Sequence, residues 1–193
     1  MKRLLNGVSL ILLLLFFFHS CVYHYITHMN DEELAWLTNR YEGEFMYFQS
    51  KDGAKDTVII CQIDISNSLN PFNMTYFNTS NTEYIAGGCI HYRFNRTTGC
   101  EGSLYVQKLH NNKPISFSGG LLGRWSRETP LKLTTLKINN VTFNDILFFD
   151  ENNIEQITNH NQVNPIKSYA WSKKHGLVQY TFKDGTSFSR VSK

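Results

Sequence analysis

Residues 45–65 read FMYFQS, then KDGAK, then DTVIICQIDI, and this stretch decides the fold class. The first six residues mix aromatic and polar side chains with no helical spacing. Lys51 to Lys55 hold Asp-Gly at their centre, a dipeptide that accepts the positive φ of a tight hairpin turn. From Asp56 the chain alternates. Ile59, Cys61, Ile63 and Ile65 fall on one face, with Gln62 and Asp64 on the other. That period of two is what a half-buried strand requires. The stretch predicts a β-hairpin with its odd-numbered residues turned inward.

The same grammar extends along the chain. Residues 84–95 alternate Ile90, Tyr92 and Phe94 with His91, Arg93 and Asn95, and residues 103–110 return after a turn. Asn111-Asn112-Lys113-Pro114 is a turn. Gly119, Gly120 and Gly123 predict a loop around Leu121, Leu122 and Trp125. Residues 131–138, 141–143 and 146–149 are extended, with Asn139-Asn140 as a tight turn. Residues 66–82 and 150–165 are polar and read as loops. Residues 166–171, 177–183 and 186–191 close the chain, the last two joined by Asp184-Gly185. Short strands at regular spacing predict a mainly β fold, with antiparallel sheet or sheets arranged as a sandwich, barrel or half-barrel.

One short N-terminal helix precedes the strands. Asn30 can cap it, and Glu33 stands three residues later as in a capping box. Asp31, Glu32 and Glu33 suit the positive end of the helix dipole. Leu34 and Leu37, with Trp36 close by, give it an apolar side, and it should end near Asn39.

Upstream, Lys2 and Arg3 precede an apolar run over residues 8–18 that only Ser9 interrupts. A span of the ~30 Å hydrocarbon core needs about 20 apolar residues. The shorter run has the form of a secretory leader. His19-Ser20-Cys21 follow, and a small residue before cysteine at this distance resembles a lipobox. On that reading residues 1–20 are a lipoprotein signal peptide, Cys21 is the lipidation site, 21–29 are a lipid-anchored tether and 30–193 one β-rich domain. Acyl chains on Cys21 would hold the protein to a membrane, since two or more chains anchor where one exchanges.

The remaining thiols fit an exported chain. Cys89 and Cys100 are the better-placed pair for a disulfide, because the ten residues between them resemble a hairpin end. Cys61, inside an apolar strand, reads as a buried free thiol. The net charge is +3, with 18% charged and 14% aromatic residues. That composition is globular, and it shows no basic stripe for nucleic acid.

Two stretches carry a resemblance. Glu33-Leu34-Ala35-Trp36-Leu37, followed by Phe48-Gln49-Ser50-Lys51-Asp52-Gly53 and Asp56-Thr57-Val58-Ile59-Ile60, resembles the start of Bacteroidetes envelope lipoproteins of unknown function. Thr142 to Leu147, with Tyr169 to Val178, resembles a C-terminal pattern of envelope β-proteins, some of them half-barrels similar to lipoprotein carriers. The resemblance implies the bacterial cell envelope, and the residues after Cys21, Val22-Tyr23-His24-Tyr25, carry no acidic cluster of the kind that marks surface export, which makes the outer membrane's periplasmic side the expected location. It carries no functional residue. Asp56-Thr57-Val58 resembles the short Bacteroidetes O-glycosylation sequence, with Thr57 as acceptor. Tyr169, Trp171, Val178, Tyr180 and Phe182 are the residues expected to line an apolar groove or to fill the core.

Chemistry is sparsely signalled. His24 and His28 stand four apart without a third ligand, so no metal site is expected. The nucleophile elbow, HExxH and P-loop patterns are absent from the sequence. No catalytic residue or cofactor is therefore assigned. The expectation is a non-enzymatic envelope lipoprotein whose β-domain binds an unknown envelope protein or has a structural role. A carrier or sensor of an apolar ligand is the alternative, and a glycan or peptidoglycan hydrolase a further one.

Overall fold

A computed structural model of the chain describes residues 25–67, 83–95, 101–126, 129–130, 132–156 and 164–191. The described chain is mainly β and forms a curled antiparallel half-barrel with one short helix. The elements are β1 (Tyr25–Ile26), α1 (Asp31–Thr38), β2 (Phe45–Ser50), β3 (Lys55–Ser66), β4 (Glu83–Tyr84), β5 (Ala86–Phe94), β6 (Gly102–Lys108), β7 (Ser116–Leu121), β8 (Arg124–Ser126), β9 (Thr129–Pro130), β10 (Thr134–Ile138), β11 (Val141–Phe149), β12 (Ile154–Gln156), β13 (Ile166–Ser172), β14 (Gly176–Phe182) and β15 (Ser187–Val191).

Thirteen strands form one sheet, in the order β10-β11-β13-β14-β15-β2-β3-β5-β6-β7-β8-β12, with β9 beside β7. β1 and β4 make a separate parallel pair. β15 lies between β14 and β2, so it joins the N-terminal and C-terminal halves of the sheet. β12 sits at one edge of the sheet and β11 next to the strand at the other, although only four residues separate them in the chain. The curl of the sheet therefore brings its two edges close together.

The concave side holds the core. Met46, Phe48, Val58, Ile60, Ile90, Tyr92, Phe94, Leu104, Phe117, Tyr169, Trp171 and Tyr180 are all buried in one cluster. Rings meet across strands: Phe149 stacks on Tyr169 at 4.6 Å, and Tyr180 on Phe188 at 5.2 Å. Helix α1 docks on this cluster through Trp36 and Leu37, with Trp36 edge-on to Phe117 at 4.8 Å. Its capping box forms as the sequence dictates, with Asn30 Oδ1 accepting from the Glu33 amide and Glu33 Oε2 from the Asn30 amide. Gly88 permits the docking, because a Cβ there would come within 2.4 Å of Leu37.

Two β-bulges revise the faces read from sequence. In β3 the register shifts between Ile60 and Gln62, leaving Cys61 as the extra residue. An inserted residue reverses the phase of a period-two strand. Val58 and Ile60 therefore join the main core cluster, Ile59 is buried outside it, Cys61 is in neither, and Ile63 beyond the bulge packs inward as expected. Cys61 is half-exposed rather than buried. In β14, Trp171 pairs Leu177 and Ala170 pairs Gln179, which makes Val178 the extra residue. Leu177 and Tyr180 enter the main core, while Val178 joins Ile138, Ile146 and Ala170 in a second, smaller cluster.

Other boundaries also move. Tyr25–Ile26 form β1, within the stretch read as a tether, and both Thr27 and Met29 are buried. The glycine-marked segment around Trp125 is the β7–β8 hairpin, not a loop. Gly120 lies in β7 because a Cβ there would meet the Trp125 ring at 2.5 Å. Residues 141–149 are one continuous strand, and the polar stretch after them contains β12. The Asn139-Asn140 turn has φ of 47° and 66°, the left-handed backbone that asparagine tolerates.

Candidate binding hollows

Of the residues singled out in the sequence, Cys21 and Cys100 lie outside the described residues. Cys89 is a buried free thiol. Thr57 is half-exposed on β3, opposite Tyr47, with its carbonyl accepting from the Asn95 amide. The five expected groove residues do not share one open surface. Tyr169, Trp171 and Tyr180 are packed in the main core, Phe182 packs partly against it, and Val178 belongs to the second cluster. They serve as core, because the concave face is filled by aromatic side chains and by α1.

Open space occurs elsewhere. One hollow, of about 530 Å³, lies at the rim where β2 and β15 meet the β10–β11 hairpin. Phe45 and Tyr47 project from β2 on the side opposite Met46 and Phe48, and their rings stack at 6.4 Å. Tyr41 and Val141 are among the most exposed large apolar side chains described. Phe143 meets the His175 ring edge-on at 5.3 Å across the hollow's far wall.

A charged corner underlies this rim. Glu44, itself buried, accepts from Arg40 at 2.6 Å and lies 3.5 Å from Arg190. Arg190 also donates to the His175 carbonyl. Two guanidiniums on one carboxylate leave a net positive charge behind the aromatic wall. Burial, with Arg190 next in weight, lowers the His175 pKa below its ordinary value and favours the neutral ring.

The second hollow, of about 660 Å³, lies on the sheet face across β3, β5 and β6. Its floor includes Gly87, where a Cβ would approach the Val106 carbonyl at 2.9 Å. Cys89, His91 and Tyr105 stand on the floor, with Ile65 and Ile85 on the lip. His91 Nδ1 is 3.3 Å from the Ser103 hydroxyl, and its Nε2 is 3.7 Å from Asp64. That row orders hydroxyl, imidazole and carboxylate across adjacent strands. The strands that carry His91 and Ser103 are paired on both sides there, so their amides are engaged in the ladders instead of forming an oxyanion hole. Burial raises the Cys89 thiol to about 11, so it is protonated at neutral pH and weakly nucleophilic.

Sequence reasoning missed both hollows. The sheet-face one had a usable signal, since Gly87, Cys89 and His91 fall every second residue opposite the apolar Ile90, Tyr92 and Phe94. The rim had none, because it depends on pairing Tyr47 with Val191, residues distant in the sequence. Comparison with family models, curated proteins and solved structures gives no match to this chain.

Proposed function

We propose that this chain is a lipid-anchored bacterial envelope protein that works by binding a partner protein at the rim hollow rather than by catalysis. The leader and Cys21 supply the anchor in this reading. One observation carries the binding site: Tyr41, Phe45 and Tyr47 are gathered in front of Arg190 at an open, shallow surface. Tyrosine and arginine are enriched among the few residues that dominate protein–protein binding energy. They offer large contact area, a polar tip and few torsions to freeze.

Two measurements test the reading. Radiolabelled palmitate should appear on the wild-type protein and not on Cys21→Ser. A photo-reactive phenylalanine at position 41 or 141, irradiated in cells, should give one adduct of the same mass. The same label at the exposed Phe148 should not give it, and Phe45→Ala should abolish it. Adducts that do not depend on position or on Phe45 would refute the docking site.

A further inference from the structure

We infer that the sheet-face hollow across β3, β5 and β6 binds a neutral saccharide, stacked on Tyr105 and held by the polar side chains around it. This surface is separate from the rim hollow, and the inference does not depend on the partner proposed there.

The strand register gathers these groups on one face. Asp64, Cys89, Tyr105 and Ser118 lie opposite one another in four neighbouring strands. Ser66, Gly87, Gln107 and Ser116 make the row on one side of them. Gln62, His91 and Ser103 make the row on the other. Residues directly opposed across a ladder share a face, and so do residues two apart in a strand. The intervening Ile90, Tyr92 and Leu104 are in the core, so the polar rows occupy the convex side of the sheet. Gly87 carries no side chain between Ser66 and Gln107, which leaves depth in the middle of that side. The hollow's volume of about 660 Å³ falls within the ~300–1,000 Å³ common for small-ligand sites.

The chemistry of the lining selects the ligand. Tyr105 is 36% exposed. Its hydroxyl reaches Cys89 and Ser103, so the ring leans over the sheet toward β5. Trp125, with ring centroids 5.2 Å apart, and His91, edge-on at 6.0 Å, brace it in that orientation. A braced aromatic ring with an exposed face is an apolar plate on which the C–H groups of a sugar can pack. Around it, Ser66, Ser118 and Gln107 both donate and accept, while the Asp64 carboxylate accepts. Gln62 donates to both Asp64 oxygens, at 2.9 and 3.1 Å, and orients them. Each sugar hydroxyl also donates and accepts, so this mixed set matches it. A wholly apolar ligand would strip water from these groups without replacing its hydrogen bonds. An anion would meet Asp64, with no lysine or arginine among the described lining residues to offset it. A peptide strand could not add to the ladder, because β5 and β6 are paired on both sides.

Saturation-transfer NMR on the full chain tests this. Maltose, cellobiose, lactose and diacetylchitobiose serve as neutral probes, and cellobiouronic acid as the anionic one. Saturation should pass to the ring protons of at least one neutral disaccharide. Tyr105→Ala should weaken that binding at least about tenfold, as truncating a central aromatic contact does. Tyr105→Phe keeps the plate and should retain binding. Gln107→Ala removes one hydrogen-bonding side chain from a half-exposed position and should also weaken binding, which keeps the test valid if Tyr105→Ala misfolds. Phe148→Ala, exposed on β11, should change nothing. No transfer to any neutral probe at millimolar concentration would overturn the inference. So would cellobiouronic acid binding in preference to cellobiose, since the site would then select charge. Binding that survives both Tyr105→Ala and Gln107→Ala would place the sugar elsewhere and refute this site.

Discussion

Tyr180 donates its hydroxyl to Asp56 Oδ2 at 2.7 Å, linking β14 to the start of β3 across 124 residues of sequence. The bond passes beneath β15 and β2, the two strands that separate its donors and acceptors in the sheet. Tyr180→Phe keeps the ring contacts with Phe48 and Phe188 and removes only the hydroxyl. Loss of a hydrogen bond to a charged acceptor should cost about 2 kcal/mol. A lower urea midpoint with unchanged slope would report it.

Lys108 is 7% exposed, and its ammonium contacts both carboxylate oxygens of Glu33 at 2.9 and 2.7 Å. That carboxylate also caps α1. Glu33→Gln should destabilise by about 2–3 kcal/mol, since it leaves a buried cation without its counter-charge. Adding Lys108→Met should recover part of the loss, and a double-mutant cycle in urea measures the coupling.

Gly102 lies under the Tyr92 ring, and a Cβ there would come within 1.9 Å of it. The ring cannot swing aside easily, because its hydroxyl donates to the Gly120 carbonyl at 2.9 Å. Gly102→Ala should therefore cost about 2–3 kcal/mol by overpacking. For a domain of this size that is a fall of roughly 5–10 °C in thermal midpoint. Ser103→Ala, one residue on and facing away from the core, should move the midpoint far less.

Alkaline pH should unfold the protein progressively. Burial raises Cys89 from its ordinary 9.0 to about 11, and it raises Tyr92 and Tyr169 as well. Above pH 9 the unfolded thiol releases its proton before the native one does. The unfolded state then holds fewer protons, and stability falls as pH rises through the native pKa. Urea midpoints between pH 8 and 11 should decline, and Cys89→Ala should flatten the earlier part of that decline. Midpoints independent of pH in this range would show that neither thiol nor phenols are desolvated.

Much of the scaffold was legible in the sequence because it depends on neighbours along the chain. The Asp52-Gly53 and Asp184-Gly185 hairpins, the Asn139-Asn140 turn and the Asn30–Glu33 capping box are local, and each formed where the residues called for it. The bulges at Cys61 and Val178 were not legible. Alternation in a single strand does not reveal where a partner strand skips a residue, and one skip inverts every face beyond it. The same limit explains the groove residues. Tyr169 and Trp171 were correctly placed on one face, but what covers that face is decided by α1 and by strands from elsewhere in the chain. The rim hollow is hidden for the same reason, since its walls come from β2, β15 and the β10–β11 hairpin.

The place of β15 also constrains how the molecule comes into being. It is the latest strand in the sequence among those described, yet it sits in the middle of the sheet with neighbours on both sides. Until residues 187–191 arrive, β2 and β14 each present an unpaired edge, and the two halves of the sheet have no ladder between them. Local hairpins can form early, but the loop closed by β15 against β2 spans most of the polypeptide and forms slowly. A nascent chain stopped short of this strand would be two sticky fragments, whereas a finished one locks in a single late step. Such a chain stays pliable while its earlier strands are being made and becomes rigid only once residues 187–191 are available to close the ladder.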